Sequence, residues 1–302
     1  MKALSETLKH IVVPLITPFT QDGELNYEEA KTLVDHLIGK KYCDSILVAG
    51  TTGEFHALTN AERIELFGVV KEAAAGRAAL VAGTGAGSTR EALLLTREAE
   101  KLGYDAVMVV SPYYCKPTQE GIYGHFETIA RGTSLPVMLY NIPLFSGVNI
   151  NPETVARLSK IENVRGIKDE LGLNPTQMTE YALVTPEDFS IYNGDDIMTL
   201  CGLVQGAAGT VSGGSHLVGN KIRKMMESFL SGKTGQALEI HLALDPFFKA
   251  LCPNGRVNPI PVLKAALEIA GHPVGPPRLP LDPATAQERE QIKKHLSRLE
   301  VI

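Results

Sequence analysis

The stretch A-V-M-V-V at residues 106–110 is apolar at every position. A strand with one solvent-exposed face alternates apolar and polar residues, because successive side chains point to opposite sides. An uninterrupted apolar run instead predicts a strand covered on both faces, as in a parallel sheet flanked by helices. The run I-V-V-P-L-I at residues 11–16 has the same character.

Beyond these two runs, short apolar segments alternate along the chain with longer segments of helical period. The pattern predicts eight repeats of strand then helix, with parallel strands joined by right-handed crossovers. A closed (β/α)8 barrel, the TIM barrel of the α/β class, uses all of them, and an open doubly wound sheet is the alternative. We assign residues 1–235 to a barrel catalytic domain and residues 236–302 to a C-terminal helical extension.

Composition and charge exclude several classes of protein. The chain has 302 residues, 44% hydrophobic and 21% charged, and its acids and bases are interspersed with a net charge of −5, so nucleic acid is not an expected partner. No stretch has the ~18 consecutive apolar residues of a membrane span, and no signal peptide is evident. The sequence therefore predicts a soluble cytoplasmic protein in which four scattered cysteines are buried thiols: Cys43, Cys115, Cys201 and Cys252.

Neither a metal nor a nucleotide is expected. The eight histidines lack the spacings of zinc sites. The run G-T-G-A-G at residues 83–87 matches a dinucleotide-binding loop only in part, because its third glycine comes one position early.

Barrel enzymes place their active groups at the C-terminal ends of the strands and in the loops that follow. This rule selects a short set of candidates, most of which donate hydrogen bonds or transfer protons: Gly50 to Glu54, Tyr113 and Tyr114, Tyr140 and Asn141, Lys168, Gly194 to Asp196, and Val211 to Gly214.

The stretch V-R-G-I-K-D-E at residues 164–170 has a lysine where the apolar pattern predicts a buried side chain. Side chains at i and i+2 share a strand face, so Lys168 lies with Gly166 and Glu170, opposite Ile167. If Ile167 packs against the helices, Lys168 points into the barrel, and Gly166 leaves space beside it. There the ammonium loses hydration, which favours a neutral amine that can form a Schiff base with a carbonyl group. A strand-end lysine paired with a carboxylate is the structural alternative.

Tyr140 ends the preceding strand, and consecutive strands are neighbours in a barrel. A phenol there can carry protons to and from the substrate's oxygens, and a core tyrosine with one hydrogen bond is the alternative. The run Gly50-Thr51-Thr52-Gly53 combines two hydroxyls with glycines that allow close backbone approach, which suits a carboxylate. A plain strand-to-helix turn is the alternative there.

Five motifs, in order and spacing, resemble the dihydrodipicolinate synthase and N-acetylneuraminate lyase family of pyruvate-dependent class I aldolases. The resemblance covers nearly the whole chain. The motifs are G-T-T-G-E (50–54), S-P-Y-Y-C-K-P (111–117), L-Y-N-I-P (139–143), G-I-K-D (166–169) and N-P-I-P-V (258–262).

The resemblance implies a TIM barrel that assembles as a homotetramer, a dimer of dimers, and uses no metal or organic cofactor. It implies that Lys168 forms the Schiff base with pyruvate and that Tyr140 is its acid/base partner. Thr51 resembles the hydroxyl that links Tyr140 to Tyr114, which comes from the adjacent subunit in the family's synthases.

The resemblance also assigns a substrate site. Thr52 and the backbone of Val211 resemble the groups that hold the pyruvate carboxylate. Gly50 and Gly194, from the strand-end set, are further candidates for substrate binding. Asp196 is a candidate for binding sugar hydroxyls.

Two departures bear on the second substrate. Phe145 stands where the family's synthases carry an arginine that binds the carboxylate of aspartate semialdehyde. Without that arginine, selectivity for an anionic aldehyde should fall by more than ~1.5 kcal/mol. Ile197 replaces the glutamate of the sialic acid lyases. The motifs therefore favour a smaller 2-keto-3-deoxy sugar acid, cleaved reversibly to pyruvate and an aldehyde.

Three alternatives stay open. One is a dehydratase acting through the same iminium. Another is the family's synthase activity, which condenses pyruvate with aspartate semialdehyde in lysine biosynthesis. The third, from another class, is a non-catalytic barrel that binds a keto acid.

Overall fold

The computed structural model describes residues 2–170, 172 and 174–302. Eight parallel strands pair in chain order, and β8 returns to pair with β1, so the sheet is a closed barrel and the open-sheet alternative is wrong. The fold is a TIM barrel. The strands are β1 (Ile11–Pro14), β2 (Ser45–Val48), β3 (Ala79–Gly83), β4 (Ala106–Val110), β5 (Val137–Asn141), β6 (Val164–Asp169), β7 (Ser190–Asn193) and β8 (Gly209–Val211).

Helices surround the barrel and extend beyond it. The barrel segment carries α1 (Leu4–Leu8), α2 (Tyr27–Gly39), α3 (Asn60–Ala74), α4 (Thr89–Lys101), α5 (Gln119–Arg131), α6 (Pro143–Ser146), α7 (Pro152–Leu158), α8 (Gln177–Val184), α9 (Thr199–Val204) and α10 (Ser215–Leu230). The C-terminal segment carries α11 (Thr234–Ala250), α12 (Ile260–Ile269) and α13 (Ala286–Arg298). Because α11 packs along α10 and spans the boundary at residue 235, the division into two domains stays a prediction.

The strand β4 shows why the apolar runs form this barrel. Val107 and Val109 pack into the layer between the sheet and the helices, whereas Met108 and Val110 pack inside the barrel. All four are buried. Burial of each such side chain contributes roughly 1.5–3 kcal/mol, so a polar residue on either face would be costly.

The short helix α1 closes the N-terminal end of the barrel. Leu4 and Leu8 are buried and belong to the interior cluster. The Ser5 N–H donates to Ser190 Oγ at 3.0 Å, and the Tyr192 hydroxyl donates to the Lys9 carbonyl at 2.6 Å. With this end filled by side chains, space for a ligand lies at the C-terminal ends of the strands.

The expectation of buried cysteines is wrong for three of the four. Cys43 is buried, but Cys115, Cys201 and Cys252 are exposed, and all four are free thiols. The three exposed residues lie in the loop after β4, on α9 and just after α11, where their side chains remain accessible to solvent. Within the described residues, no helix combines the length and apolar character needed to cross a membrane. Location in the cytoplasm stays a prediction.

Candidate active site

A cavity of about 420 Å³ opens at the C-terminal ends of the strands. Its floor is formed by strand-end residues, among them Lys168 and Tyr140, and one wall is formed by the C-terminal segment, with Phe248, Cys252 and Leu263. The cavity is large enough for a small keto acid together with a second small substrate.

Lys168 and Tyr140 are direct partners in the pairing of β5 with β6. Ile167 packs in the outer layer, so Lys168 points into the barrel, as the alternation of the strand predicts. Lys168 is 5% exposed and Tyr140 is 1% exposed. The Lys168 Nζ lies 3.9 Å from the centroid of the Tyr140 ring, close enough for the ring face to stabilise a cation at this position.

A buried polar network holds the ends of these two strands. The Asn141 Nδ2 donates to Asp169 Oδ1 at 2.9 Å and to the Tyr181 hydroxyl at 3.3 Å, and Asn141 Oδ1 accepts from the Ile150 N–H at 3.0 Å. Gln177 Nε2 donates to the same Tyr181 hydroxyl at 2.7 Å. Because buried polar groups with partners are costly to disrupt, this network fixes the backbone that carries Tyr140 and Lys168.

Glu170 lines the candidate active site, although the sequence predicted no role for it. Its Oε2 lies 3.0 Å from Lys168 Nζ and accepts a hydrogen bond from the Tyr140 hydroxyl at 2.8 Å. The carboxylate partner that was the structural alternative for Lys168 is therefore present, but it lies within the cavity beside the candidate acid/base residue. The signal for Glu170 was its i+2 spacing from Lys168, which puts both side chains on one strand face.

The environment of Tyr140 keeps its hydroxyl protonated. Burial raises the pKa of Tyr140 well above its usual value, and the charge of Glu170 raises it further. The Thr51 side chain opposes this shift through a hydrogen bond to the same hydroxyl. Tyr140 thus has two polar partners within its own chain and is suited to donate a proton at neutral pH.

The space beside the amine is provided by Gly194 rather than by Gly166. A Cβ at Gly166 would lie 2.5 Å from the Ser190 carbonyl oxygen and 3.2 Å from Leu4 Cδ2, so this glycine allows β7 and α1 to approach. A Cβ at Gly194 would lie 2.5 Å from Lys168 Cε. The expectation for Gly166 is therefore wrong, because the Ser190 backbone and the Leu4 side chain fill the position.

Two acids follow β7 at the cavity wall. Asp196 accepts hydrogen bonds from the Ser212 hydroxyl and from the Gly214 N–H at 2.7 Å, while Asp195 accepts from the Ile197 N–H at 3.1 Å. Burial raises the pKa of Asp196 to about 6 and also raises that of Asp195. Both oxygens of Asp196 thus hold the loop after β8, and binding of sugar hydroxyls by this residue stays a prediction.

The other predicted residues divide into two groups. Thr51, Thr52, Phe145 and Val211 line the cavity, together with Gly194 and Asp196. Gly50 is outside this lining and faces Leu47, where a Cβ would lie 3.0 Å from Leu47 Cδ2.

Tyr114 is separate from the cavity of its own chain. It is 97% exposed and has a φ of 71°, in the left-handed region that a tyrosine seldom adopts. Its predicted role across a subunit interface stays a prediction.

The contribution of the C-terminal segment could not be found by the strand-end rule. Phe248, Leu263 and Asn258 line the cavity, although they come from α11, α12 and the loop between them. Lys264, the next residue on α12, forms a buried ion pair with Glu54 at the end of the G-T-T-G-E loop. The segment therefore supports the loop that carries Thr51 and Thr52.

Comparison with known proteins identifies the family. Residues 7–299 match the dihydrodipicolinate synthetase family. The 4-hydroxy-tetrahydrodipicolinate synthase of Desulforudis audaxviator is 47% identical over 283 residues, which are 94% of this chain and 95% of that protein.

Solved structures of dihydrodipicolinate synthases have the same fold as this chain. The dihydrodipicolinate synthase of Bacillus anthracis has a TM-score of 0.91 and 40% identity, covering 96% of this chain and 98% of that one. The enzyme of Cyanidioschyzon merolae, solved with lysine bound, has a TM-score of 0.93 and 39% identity, covering 98% of this chain and 99% of that one.

These relatives bear the name of the synthase, so the comparisons support the synthase alternative better than the sugar-acid cleavage favoured by the motifs. They do not support a non-catalytic barrel. The chain is an enzyme of the pyruvate-dependent class I aldolase type, in which a lysine forms a Schiff base with the keto acid. With a match over nearly its whole length, the chain belongs to the dihydrodipicolinate synthetase family.

Proposed function

We propose that this protein condenses pyruvate with aspartate semialdehyde, as a 4-hydroxy-tetrahydrodipicolinate synthase, and that Lys168 forms the Schiff base. The observation that carries the proposal is the position of the Lys168 amine, which is buried at the floor of the cavity beside the Tyr140 ring. The relatives at 47% and 45% identity, which bear the synthase name, support the choice of second substrate.

In this proposal the iminium at Lys168 is the electron sink, so the methyl carbon of bound pyruvate can lose a proton and attack the aldehyde. Tyr140 and Thr51 act on the oxygens, and Thr52 with the backbone of Val211 holds the carboxylate of pyruvate. Tyr114 from an adjacent subunit of a homotetramer would complete the proton relay, as the resemblance implies.

Cleavage of a 2-keto-3-deoxy sugar acid is a second candidate because of the charge of the cavity. Among the described residues that line it, the basic side chains are Lys168 and Lys249, and none is arginine. Glu170, Asp195 and Asp196 line the same space, and Phe145 offers no charge. Because these three acids outnumber the two lysines, the cavity disfavours an anionic aldehyde relative to a neutral, hydroxylated one.

Borohydride trapping tests the Schiff base. Reduction in the presence of pyruvate should add a stable mass at Lys168, and Lys168→Met should abolish it. Lys249→Met is a matched control, because Lys249 also lines the cavity but its Nζ pairs with Asp245 at 2.9 Å, and this variant should still be labelled at Lys168. Labelling absent from the unaltered protein would contradict the proposal.

The identity of the second substrate is tested by comparing turnover rates. Turnover of pyruvate with aspartate semialdehyde should exceed cleavage of 2-keto-3-deoxygluconate at equal enzyme concentration. The reverse order, with trapping intact, would favour the sugar-acid candidate.

A further inference from the structure

One oxygen of Glu170 contacts both groups that exchange protons in Schiff-base formation. Oε2 is 3.0 Å from Lys168 Nζ and 2.8 Å from the Tyr140 hydroxyl. The backbone holds this residue in place, because the Glu170 N–H donates to the Asn141 carbonyl at 3.0 Å and extends the pairing of β5 with β6.

The chemistry needs a carrier between these two groups. When an ammonium and a keto group become an iminium and water, two protons leave the nitrogen and two arrive at the keto oxygen. Lys168 Nζ lies over the ring face of Tyr140, 3.9 Å from the centroid. Within the described part of the chain, the Tyr140 hydroxyl hydrogen-bonds Glu170 and Thr51 rather than the amine. A proton that leaves Nζ therefore meets Glu170 first.

We propose that Glu170 is a catalytic proton carrier, which takes each proton from Lys168 Nζ and passes it to Tyr140 for delivery to the keto oxygen. The inference rests on the proposed Schiff-base function, but it does not depend on which aldehyde the enzyme accepts. It places the carrier within a single chain, two residues after the Schiff-base lysine.

The steps balance. Glu170 takes a proton from the Lys168 ammonium, and the amine attacks C2 of the keto acid, so that the N–C2 bond forms and the carbonyl π electrons move to oxygen. Tyr140 protonates this oxygen and recovers its proton from Glu170, which gives a protonated carbinolamine.

A second round completes the iminium. Glu170 takes the next proton from nitrogen, and the C2–O bond breaks as Tyr140 protonates the departing oxygen. Water leaves, the nitrogen lone pair forms the C=N bond, and Glu170 returns its proton to Tyr140. Both residues end as they began, and the two protons from nitrogen are in the water released.

The other acids of the cavity are less suited to this role. Asp196 is engaged by Ser212 and by the Gly214 N–H, and Asp195 by the Ile197 N–H. Glu170 instead has an oxygen directed at both reacting groups. Gly194 provides its space, since a Cβ there would lie 3.0 Å from Glu170 Oε2.

The test uses two readouts that need pyruvate alone. Borohydride trapping follows iminium formation, and exchange of the pyruvate methyl protons in D2O, followed by NMR, reports passage through the iminium to the enamine. Glu170→Gln keeps the shape but cannot carry protons, so both rates should fall about 100-fold, at the lower end of the usual range for general acid–base catalysis.

Chemical rescue separates proton transfer from support of the fold. Glu170→Ala should be slow, and added formate should accelerate it in proportion to concentration, whereas chloride should not. Glu187→Gln, at an exposed carboxylate, should behave as the unaltered protein.

Wild-type trapping and exchange rates in Glu170→Gln would overturn the proposal. So would a slow Glu170→Ala variant that formate does not accelerate, since a residue that only positions Lys168 predicts that result. Absence of trapping in the unaltered protein would instead remove the Schiff-base function itself, so the two failures are distinguishable.

Discussion

Lys264 Nζ lies 2.6 Å from Glu54 Oε1, and the two side chains are 1% and 0% exposed. The second oxygen, Glu54 Oε2, accepts from the Arg278 N–H at 2.9 Å. Glu54 ends the loop that carries Thr51, whereas Lys264 and Arg278 belong to the C-terminal segment. A buried ion pair thus connects that segment to the active-site loop.

Lys264→Met should destabilise the protein, because it leaves the Glu54 carboxylate buried without its cation. Removing one partner of a buried pair costs about 3–5 kcal/mol, whereas replacing both is often nearly neutral. Urea unfolding should therefore show a large loss for Lys264→Met and a smaller one for Glu54→Gln combined with Lys264→Met. Lys294→Met, at an exposed lysine on α13, is the control. A Lys264→Met variant as stable as the unaltered protein would contradict a stabilising role for the Lys264–Glu54 ion pair.

The free energy of unfolding should decrease in acid because His216 binds a proton more readily in the unfolded chain than in the folded one. Its Nδ1 lies 2.8 Å from the Gly213 carbonyl, so this nitrogen carries the proton, and Nε2 accepts from the Ile16 N–H at 3.1 Å. Burial lowers the pKa of His216 to about 4 in the folded state, from 6.5. The unfolded chain binds more protons in that window, so stability is complete above pH 6.5 and declines as the pH falls toward 4.

The loss from His216 alone should approach about 3 kcal/mol near pH 4, at about 1.4 kcal/mol per pKa unit. Urea midpoints measured at several pH values give the decline. His216→Gln should be less stable at pH 7 but should lose less on acidification. Parallel declines in the two proteins would show that another group is responsible.

Gly194→Ala should block Schiff-base formation without unfolding the barrel. The new Cβ would lie 2.5 Å from Lys168 Cε and 3.0 Å from Glu170 Oε2, so the lysine must move. We expect the borohydride trapping rate with pyruvate to fall at least about tenfold, while circular dichroism stays unchanged. Gly124→Ala is the matched control, because a Cβ on this helical glycine meets no atom within 4 Å and should stabilise α5 by up to about 1 kcal/mol. Equal trapping rates in both variants would refute this account of Gly194.

Phe145→Arg should improve the use of aspartate semialdehyde. Phe145 is exposed at the cavity wall, and a guanidinium there can form charge-assisted hydrogen bonds with the aldehyde's carboxylate. A gain of about 1.5 kcal/mol corresponds to roughly tenfold in kcat/KM. Cleavage of a sugar acid should not gain. Leu144→Arg places the same charge one residue earlier, and an equal gain there would mean that net charge, not position, controls the rate.

The barrel and its lysine were predictable because both depend on local pattern. Strands apolar on both faces predict a sheet covered by helices, and the two-residue period of β6 orients Lys168 inward once Ile167 packs outward. The barrel's closure places Tyr140 beside it. These inferences need only the order of the segments and the faces of the strands.

Other features were missed because they depend on contacts between residues far apart in sequence. Gly166 could not be assigned from its own strand, since the atoms that fill the space beside it belong to Ser190 and Leu4. The exposure of Cys201 likewise depends on which side of α9 faces the barrel.

The sequence by itself determined the fold class and the family, and it singled out Lys168 as the candidate reactive amine, because periodicity and motif spacing are properties of short segments. Only the tertiary structure decided that Glu170 meets both Lys168 and Tyr140, that Gly194 makes room for them, and that Lys264 joins the C-terminal segment to the catalytic loop. The physical reason is that these contacts are distances of a few ångströms between side chains on different elements. Such distances arise from packing, which no single segment specifies.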